Sequence, residues 1–207
     1  MADVAGKRRI CDGGRMCNDY GNNVPYSAYL EAFSEIRVPF TPLHDAPNLE
    51  PRDDIWPTEL APVIRRTKGG VELVQLKWGL DPGRPKAPVV INFRSEGRRF
   101  AHGRCLVPAS HFFEFTGAKS PKSKWRFTKE DEPWFCFAGL WRAAAHGGPG
   151  AYAILTTAPG PDVAPIHNRQ VVVLERAEWM AWLDLTRPEA ELLRPLAAGR
   201  LRVEQVR

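Results

Sequence analysis

Cys17 directly follows Met16, after a short, polar and basic leader that is not expected to fold by itself. An internal cysteine offers only a thiol, whereas a cysteine at a mature N-terminus offers a thiol and an α-amine on adjacent carbons. This pair captures aldehydes, because the amine forms a Schiff base and the sulfur then closes a five-membered thiazolidine. An α-amino group has a pKa of about 8, so roughly a tenth of it is free base at neutral pH. The chemistry requires that translation start at Met16, or that residues 1–16 be removed.

Three further segments place reactive or hydrogen-bonding side chains at predicted strand ends and turns. Asn92 and Arg94 follow a short apolar run, and His167 and Arg169 follow a Thr-Thr strand end. Glu114 stands between two phenylalanines, an apolar setting that would raise the pKa of its carboxyl towards neutrality and make it a proton shuttle. Strand alternation equally allows this carboxylate to face solvent, with both rings on the opposite face.

Each of these residues also has an ordinary structural interpretation. Cys17 taken alone is more commonly a free buried thiol, and His167 a histidine satisfied by a backbone carbonyl. Asn92 could simply cap a turn, which asparagine does well. The residue types alone therefore leave both interpretations open.

The composition limits the class of protein. A chain of 207 residues with a formal charge of +5 is long enough for one domain with a proper core, and its basicity favours a polyanionic partner. The four cysteines form no CxxC pair and suit neither a zinc site nor a disulfide framework, so a reducing cytoplasm and no cofactor are expected. No apolar segment follows the basic leader and no run approaches the ~20 apolar residues of a membrane span, so a soluble protein is expected.

The hydrophobic pattern predicts the elements that position these side chains. An amphipathic helix is expected at Tyr26–Ile36, and a long ordered loop across the proline-rich stretch Pro39–Pro62. Short strands follow, each bounded by Gly, Pro or charged turns: Pro62–Arg66, Val71–Trp78, Arg104–Val107, Phe112–Phe115, Lys124–Thr128, Trp134–Trp141, Tyr152–Thr157 and Val171–Leu174. Two C-terminal helices are expected at Ala177–Leu185 and Pro188–Ala198. The predicted fold is α+β, mainly β: a single domain with a curled or barrel-like antiparallel sheet and flanking helices.

Taken in order, these motifs resemble the SOS response-associated peptidase (SRAP) family, whose members sense abasic sites in single-stranded DNA and crosslink to them. The resemblance extends from Met16 to about Leu185. It rests on an initial Met-Cys, an Asn-x-Arg-x-Glu segment, an Arg-Cys-Leu-Val-Pro-Ala strand before an aromatic-Glu turn, an Ala-Gly-Leu-Trp strand, and Thr-Thr followed by Ile-His-x-Arg. The corresponding residues are Met16, Cys17, Asn92, Arg94, Glu96, Arg104–Ala109, Glu114, Ala138–Trp141, Thr156, Thr157, Ile166, His167 and Arg169.

The resemblance implies a catalytic set of four residues. Cys17, once terminal, would attack the aldehyde of the opened deoxyribose and form a covalent thiazolidine. Asn92 would hold the adduct by hydrogen bonds, and Glu114 would shuttle protons as the Schiff base forms and reverses. His167 would donate a proton to the sugar oxygen or bind the adjacent phosphate.

The resemblance also suggests how DNA is held. Arg94 and Arg169 are candidate phosphate ligands, because a guanidinium matches two phosphate oxygens. Trp78, in a segment that resembles the family's Trp-Gly, is expected to stack on a base beside the lesion, a contact worth about 1 to 3 kcal/mol. A further run of cations is expected to lie on a solvated hairpin: Lys119, Lys122, Lys124 and Arg126.

The sequence departs from the commoner family pattern at two places, directly after Cys17 and directly after Arg169. Asn18 and Asp19 stand where many members have Gly-Arg, so a phosphate contact is expected to be lost there. Gln170-Val171 stands where Met-Pro is usual. Nothing in residues 1–15 matches the family, so residues 1–16 are expected to be a leader absent from the mature protein and residues 17–207 a single domain.

Two other functions remain open at this stage. A thiol peptidase, with the leader as one substrate, would use Cys17 as nucleophile, His167 as base and Asn92 as orienting residue. A non-catalytic single-stranded DNA-binding module would need only basic residues and Trp78. In the preferred interpretation the partner is abasic single-stranded DNA, with or without strand-cleaving lyase activity. The protein is then expected to be a cytoplasmic monomer that joins the nucleoid during DNA damage.

Overall fold

The computed structural model describes residues 17–41, 49–144 and 147–207, so the leader predicted at residues 1–16 lies outside the described residues. The strands are β1 (Tyr20–Asn22), β2 (Phe40–Thr41), β3 (Arg52–Ile55), β4 (Leu60–Arg66), β5 (Val71–Trp78), β6 (Asn92–Arg94), β7 (Arg104–Ala109), β8 (His111–Thr116), β9 (Ser123–Lys129), β10 (Phe135–Arg142), β11 (Ala151–Thr157), β12 (Gln170–Val171), β13 (Val173–Leu174) and β14 (Leu201–Gln205). The helices are α1 (Tyr26–Glu35), α2 (Trp179–Asp184) and α3 (Glu189–Leu192), with a 3-10 turn at Arg176–Glu178.

The strands form two hydrogen-bonded sheets. One has the order β14-β9-β8-β1-β3, and the other has the order β12-β11-β10-β7-β4-β5-β2, with β13 on β10 and β6 on β11. A short parallel contact between β5 and β11, with Trp78 opposite Tyr152, closes the strands between them into a ring. The predicted mainly β, α+β class is therefore confirmed. The sheet is a ring of strands rather than a true barrel, and the parallel contacts of β11 with β5 and β6 make it mixed rather than antiparallel.

Two apolar clusters cover the two faces of the ring. Along β10, Phe135 and Phe137 point into the cluster that lies between the two sheets. The alternate residues Cys136 and Ala138 point into the cluster beneath the helices. A strand buried on both faces reads as a continuous apolar run, which is why this segment shows no polar alternation.

Helix α1 covers one part of the outer cluster. Tyr29, Ala32 and Phe33 recur at helical spacing and are its buried residues. The ring of Phe33 lies 5.6 Å from that of Trp179, at the start of α2. None of the helices within the described ranges is long and apolar enough to cross a membrane.

The sequence predictions are confirmed for α1, for α2 and for all eight strands, with one strand divided. The run at Val171–Leu174 is split into β12 and β13, because the amide of Val172 donates to the carbonyl of Leu155 while its carbonyl accepts from the amide of Ala138. Five short strands were not predicted: β1, β2, β3, β6 and β14. The site described below depends on two of them, β1 and β6.

Two of the predicted secondary-structure elements are wrong. The stretch Pro39–Pro62 is not one long loop, since β2, β3 and the start of β4 lie within it, and its residues 42–48 lie outside the described residues. The helix expected at Pro188–Ala198 is only the single turn α3. Pro195 explains the early end, because a proline disfavours helical geometry in the residue before it and has no amide hydrogen to donate.

Candidate active site

The two sheets bring separate parts of the chain together beside the start of β1. Tyr20 of β1 pairs antiparallel with Phe112 of β8, so the residues before Tyr20 run along β8 towards Glu114. The amide of Phe113 donates to the carbonyl of Asp19 at 3.0 Å and continues this pairing. From the other sheet, β6 presents Asn92 on its parallel partner β11.

Cys17 is 1% exposed and is held by its main chain as well as its side chain. Its nitrogen donates to Oε1 of Glu114 at 3.0 Å. Its thiol donates to the carbonyl oxygen of Asp19 at 3.4 Å. Burial, followed by the charge of Glu114, raises the pKa of the thiol well above its ordinary value. The sulfur is therefore held as a neutral thiol rather than a thiolate.

Glu114 points into the molecule, and its neighbours Phe113 and Phe115 lie on the opposite face of β8 with Lys124. Burial raises the pKa of its carboxyl to about 8, although the hydrogen bond from the Cys17 nitrogen lowers it. Strand alternation therefore places both phenylalanine rings on the face opposite to the carboxylate, as one of the two sequence interpretations expected. The carboxylate faces the interior instead of solvent, so the desolvation comes from the junction of the sheets.

Asn92 and His167 complete the group. Nδ2 of Asn92 donates to the carbonyl oxygen of Cys17 at 3.0 Å, whereas Oδ1 is buried and has no hydrogen-bond partner among the described residues. Nε2 of His167 lies 4.0 Å from Oε2 of Glu114, and its Nδ1 lies 2.9 Å from the carbonyl of Arg169. The structure therefore brings all four predicted catalytic residues together, with the imidazole facing Glu114.

The three residues predicted to contact DNA, Arg94, Arg169 and Trp78, lie in different surroundings. Arg94 is exposed and lies two residues beyond Asn92, on the same face of β6. Arg169 is engaged internally, since its guanidinium contacts both oxygens of Glu96 and the carbonyl of Thr156.

Stacking of Trp78 on a base is contradicted by its burial. The indole is 0% exposed, its Nε1 donates to the carbonyl of Ile91 at 3.0 Å, and its ring packs against Tyr20 and Tyr152. A core position within the ring of strands leaves no face of the indole for a base.

The sequence did not predict an ion pair that involves Asp19, two residues after Cys17. Asp19 is 0% exposed, and its Oδ2 lies 2.7 Å from Nζ of Lys124. Lys124 also contacts Oδ1 of Asp54 at 2.7 Å. The solvated hairpin expected for Lys124 is therefore wrong, because this side chain is mostly buried between two carboxylates. The Asn18-Asp19 departure was the one sequence signal that pointed here. No cluster of metal-ligating side chains occurs in the three described ranges.

These features define a mainly β domain with a buried cysteine whose main-chain nitrogen meets a carboxylate of raised pKa. The sequence model of the SOS response associated peptidase (SRAP) family matches residues 16–207, and the chain belongs to that family. The match begins at Met16, the residue before the cysteine.

Relatives and solved structures are consistent with this assignment. The chain is 28% identical to the abasic site processing protein YoaM of Bacillus subtilis, over 71% of this chain and 72% of that protein. It is 27% identical to the abasic site processing protein YoqW of Bacillus phage SPbeta, over 70% and 72%. A crystal structure from Bordetella bronchiseptica shares the fold with a TM-score of 0.68 and 25% identity, covering 92% of this chain and all of that one. One from Bacteroides thetaiotaomicron has a TM-score of 0.72 at 19% identity, covering 92% of both chains.

Proposed function

We propose that this protein processes abasic sites in single-stranded DNA by joining an N-terminal Cys17 covalently to the aldehyde of the opened sugar. The observation that carries the proposal is the 3.0 Å contact between the Cys17 nitrogen and Oε1 of Glu114. A peptide nitrogen has no lone pair to offer an aldehyde, but an α-amine at the same place would be an activated nucleophile beside its base.

The reaction balances without an oxidant or a cofactor. Glu114 accepts a proton from the α-ammonium of Cys17, and the free amine adds to the sugar aldehyde. Glu114 then returns the proton to the hydroxyl that departs as water, which leaves a Schiff base. The thiol adds across the carbon-nitrogen double bond, with sulfur bonding the sugar carbon and its proton passing to nitrogen. One water is lost overall.

Asn92 and His167 act on either side of this step. The amide of Asn92 already fixes the Cys17 carbonyl, and its unpartnered Oδ1 is an acceptor available to the new ring nitrogen or to a sugar hydroxyl. His167 faces the second oxygen of Glu114 at 4.0 Å, so a short movement would let it exchange protons with that carboxyl. It is the group suited to protonating the ring oxygen when the sugar opens.

The proposal requires that residues 1–16 be absent from the working protein. With the leader attached, the Cys17 nitrogen is an amide that donates its hydrogen bond to Glu114 from the position that the α-amine would occupy. Removal of methionine from a chain started at Met16 would convert this amide to an amine without moving the rest of the segment. Residues 17–207 are then one working domain, which we expect to act as a monomer.

DNA would be held by exposed groups around this buried centre. Arg94 is positioned to contact a phosphate, whereas Arg169 is better assigned to holding Glu96. In place of Trp78, we infer that Trp56 and Phe115 are available to bases, since both rings are partly exposed. They lie with Lys124 on the face of β8 opposite to Glu114, so a base stacked on them would lie away from the abasic sugar. Their centroids lie 5.9 and 6.0 Å from Nζ of Lys124.

The thiol peptidase alternative has less geometric support. Such an enzyme needs a thiolate activated by an imidazole, but the Cys17 thiol donates to Asp19 and its pKa is raised by burial. A lyase activity follows more directly, because a Schiff base that is not yet closed by sulfur favours elimination of the 3′ phosphate.

The test compares protein that begins at Cys17 with protein that retains residues 1–16. Each is incubated with single-stranded DNA carrying an abasic site, with the same DNA whose abasic sugar lacks the aldehyde, and with intact DNA. We expect a denaturation-resistant adduct only between the Cys17-initiated protein and the aldehyde, with a mass equal to the sum less one water. Acetylation of the α-amine should abolish it. Equal noncovalent binding to all three DNAs without any adduct would reject the proposal in favour of a simple binding module.

A further inference from the structure

Lys124 crosses one face of the five-stranded sheet and ties three strands to the segment that carries Cys17. The side chain starts on β9, and its Nζ lies 3.6 Å from the ring centroid of Phe113 on β8. It then contacts Asp54 of β3 and Asp19, which lies just before β1, each at 2.7 Å. Its backbone is fixed too, because its nitrogen donates to the carbonyl of Arg207 and its carbonyl accepts from Val206.

Asp19 has no exposed surface, which makes its charge costly without a partner. The approach to Lys124 is an ion contact, and neither carboxylate oxygen has a well-aligned hydrogen bond within the described residues. Burial raises the pKa of Asp19 to about 7, even though Lys124 lowers it. Removing Lys124 would leave the buried carboxylate of Asp19 uncompensated, whereas removing Asp19 would leave Lys124 paired with Asp54 alone. The pair therefore holds its two segments in one arrangement.

The main chain of Asp19 transmits this constraint to the nucleophile. Its carbonyl oxygen accepts both the Cys17 thiol at 3.4 Å and the amide of Phe113 at 3.0 Å. The same residue therefore fixes the thiol and the register of the segment against β8, the strand that carries Glu114. An N-terminal residue has no preceding chain to hold it, so its placement depends on anchors that follow it.

We propose that the buried Asp19–Lys124 pair positions the terminal Cys17 for its reaction, with Asp19 as the positioning residue. This inference rests on the proposed function, since positioning matters only if Cys17 is the nucleophile. Burial and the charge of Glu114 raise the pKa of the thiol most; the hydrogen bond to the Asp19 carbonyl lowers it, and the negative charge of the Asp19 side chain raises it again. The amine is then the first group to react, and sulfur closes the ring afterwards.

The experiment uses Cys17-initiated protein and four variants: Asp19→Asn, Asp19→Glu, Lys124→Gln and the double Asp19→Asn/Lys124→Gln. Single-turnover crosslinking gives a maximal rate and a half-saturating DNA concentration. Alkylation of the Cys17 thiol by iodoacetamide is measured separately, without DNA, from pH 7 to pH 11, because the raised pKa of this thiol places its midpoint at high pH. The matched control is Glu204→Gln, which removes the exposed carboxylate that pairs with Arg126, the neighbouring cation on the same face of β9.

We expect Asp19→Asn to lower the maximal rate about tenfold or more, since small misplacements of a reacting group are costly, with half-saturation within about twofold. Its alkylation midpoint should move to lower pH, and Asp19→Glu should restore that midpoint. Lys124→Gln should slow the reaction similarly, and the double variant should lose no more than the slower single variant, because its buried pair is uncharged.

A maximal rate within about twofold of the parent for Asp19→Asn, with an unchanged alkylation midpoint, would overturn the inference. A change confined to half-saturation would also overturn it, by making Asp19 a determinant of DNA binding. If the parent forms no adduct, the proposed function fails. The alkylation midpoint of Asp19→Asn then still decides whether the Asp19 carboxylate acts on the thiol.

Discussion

Two effects act on the proton of Glu114 in opposite directions. Burial favours the neutral acid, whereas an α-ammonium at the position of the Cys17 nitrogen, 3.0 Å away, would favour the carboxylate. These effects bring the acid-amine and carboxylate-ammonium forms closer in energy. A proton can then move either way at neutral pH, which suits a step that must both form and reverse a Schiff base.

The raised pKa of Glu114 predicts a pH-dependent cost to stability in protein that retains its leader. The unfolded carboxyl has a pKa near 4.5 and the folded one about 8, so folding favours the proton. Stability should fall by up to about 1.4 kcal/mol per pH unit as pH rises between these values. Glu114→Gln removes this term, so its free energy of unfolding relative to the parent should improve steadily from pH 5 to pH 8. Denaturant titrations at each pH measure it, and a constant difference would contradict the raised pKa.

Replacing the sulfur while keeping the amine should separate capture from protection. Cys17→Ala protein that begins at the substituted residue still offers an α-amine beside Glu114, but nothing closes the Schiff base. We expect it to cleave the DNA strand at the abasic site, whereas the parent leaves the strand joined in a stable adduct. Denaturing gels of end-labelled DNA distinguish the two, and borohydride should trap the Schiff base that this variant forms. An inert variant would mean that the amine does not attack first.

At the scale of elements, the site depends on strands too short for a sequence pattern to reveal. β1 and β6 have three residues each, and a period of two cannot be recognised over that length. Their positions come from pairing with β8 and β11, both of which were predicted. The motif match supplied Asn92 and Cys17, but the Asp19–Lys124 contact joins residues far apart in the chain and is a product of the tertiary fold.

Gly21 of β1 tests how closely this strand must approach β8. A Cβ there would lie 2.1 Å from Cε1 of His111 and 2.8 Å from the carbonyl of Asp53. Gly21→Ala should therefore push β1 from its neighbours, with a loss of about 1–3 kcal/mol in stability and slower crosslinking by Cys17-initiated protein. Gly69→Ala is the control, because nothing lies within 4 Å of its Cβ position. Equal denaturation midpoints for the two variants would refute the close approach.

At the scale of the whole molecule, the two sheets are joined through the interior of the ring. The hydroxyls of Tyr20 and Tyr152 lie 2.6 Å apart and both side chains are fully buried. Tyr152→Phe should cost about 1–3 kcal/mol because it strands the Tyr20 hydroxyl, whereas Tyr20→Phe/Tyr152→Phe should lose less than the two single changes together. Denaturant unfolding of the four proteins completes the cycle, and strict additivity would argue against a hydrogen bond between the sheets.

Trp78 lies in the same interior, so the expectation that it stacks on a base can be tested by substitution. Trp78→Phe removes the hydrogen bond to Ile91 and part of the core volume, so we expect lower stability, by about 1–3 kcal/mol. Binding of single-stranded DNA should stay within about twofold of the parent at a temperature where both are folded. A base-stacking residue would show the reverse result. The sequence could place this tryptophan in a strand, but which face of the strand is enclosed depends on ring closure.

The anchoring of Lys124 by Val206 and Arg207 has a practical consequence. Any fusion ahead of Cys17 blocks the amine, so preparations for assay would ordinarily carry their purification tag at the other end. Arg207 adjoins Lys124, and its guanidinium lies 6.0 Å from the centroid of the Phe115 ring, so a peptide extending from this residue would crowd that ring. A tag joined through a long flexible spacer, or removed before assay, avoids mistaking a tethering artefact for weak chemistry.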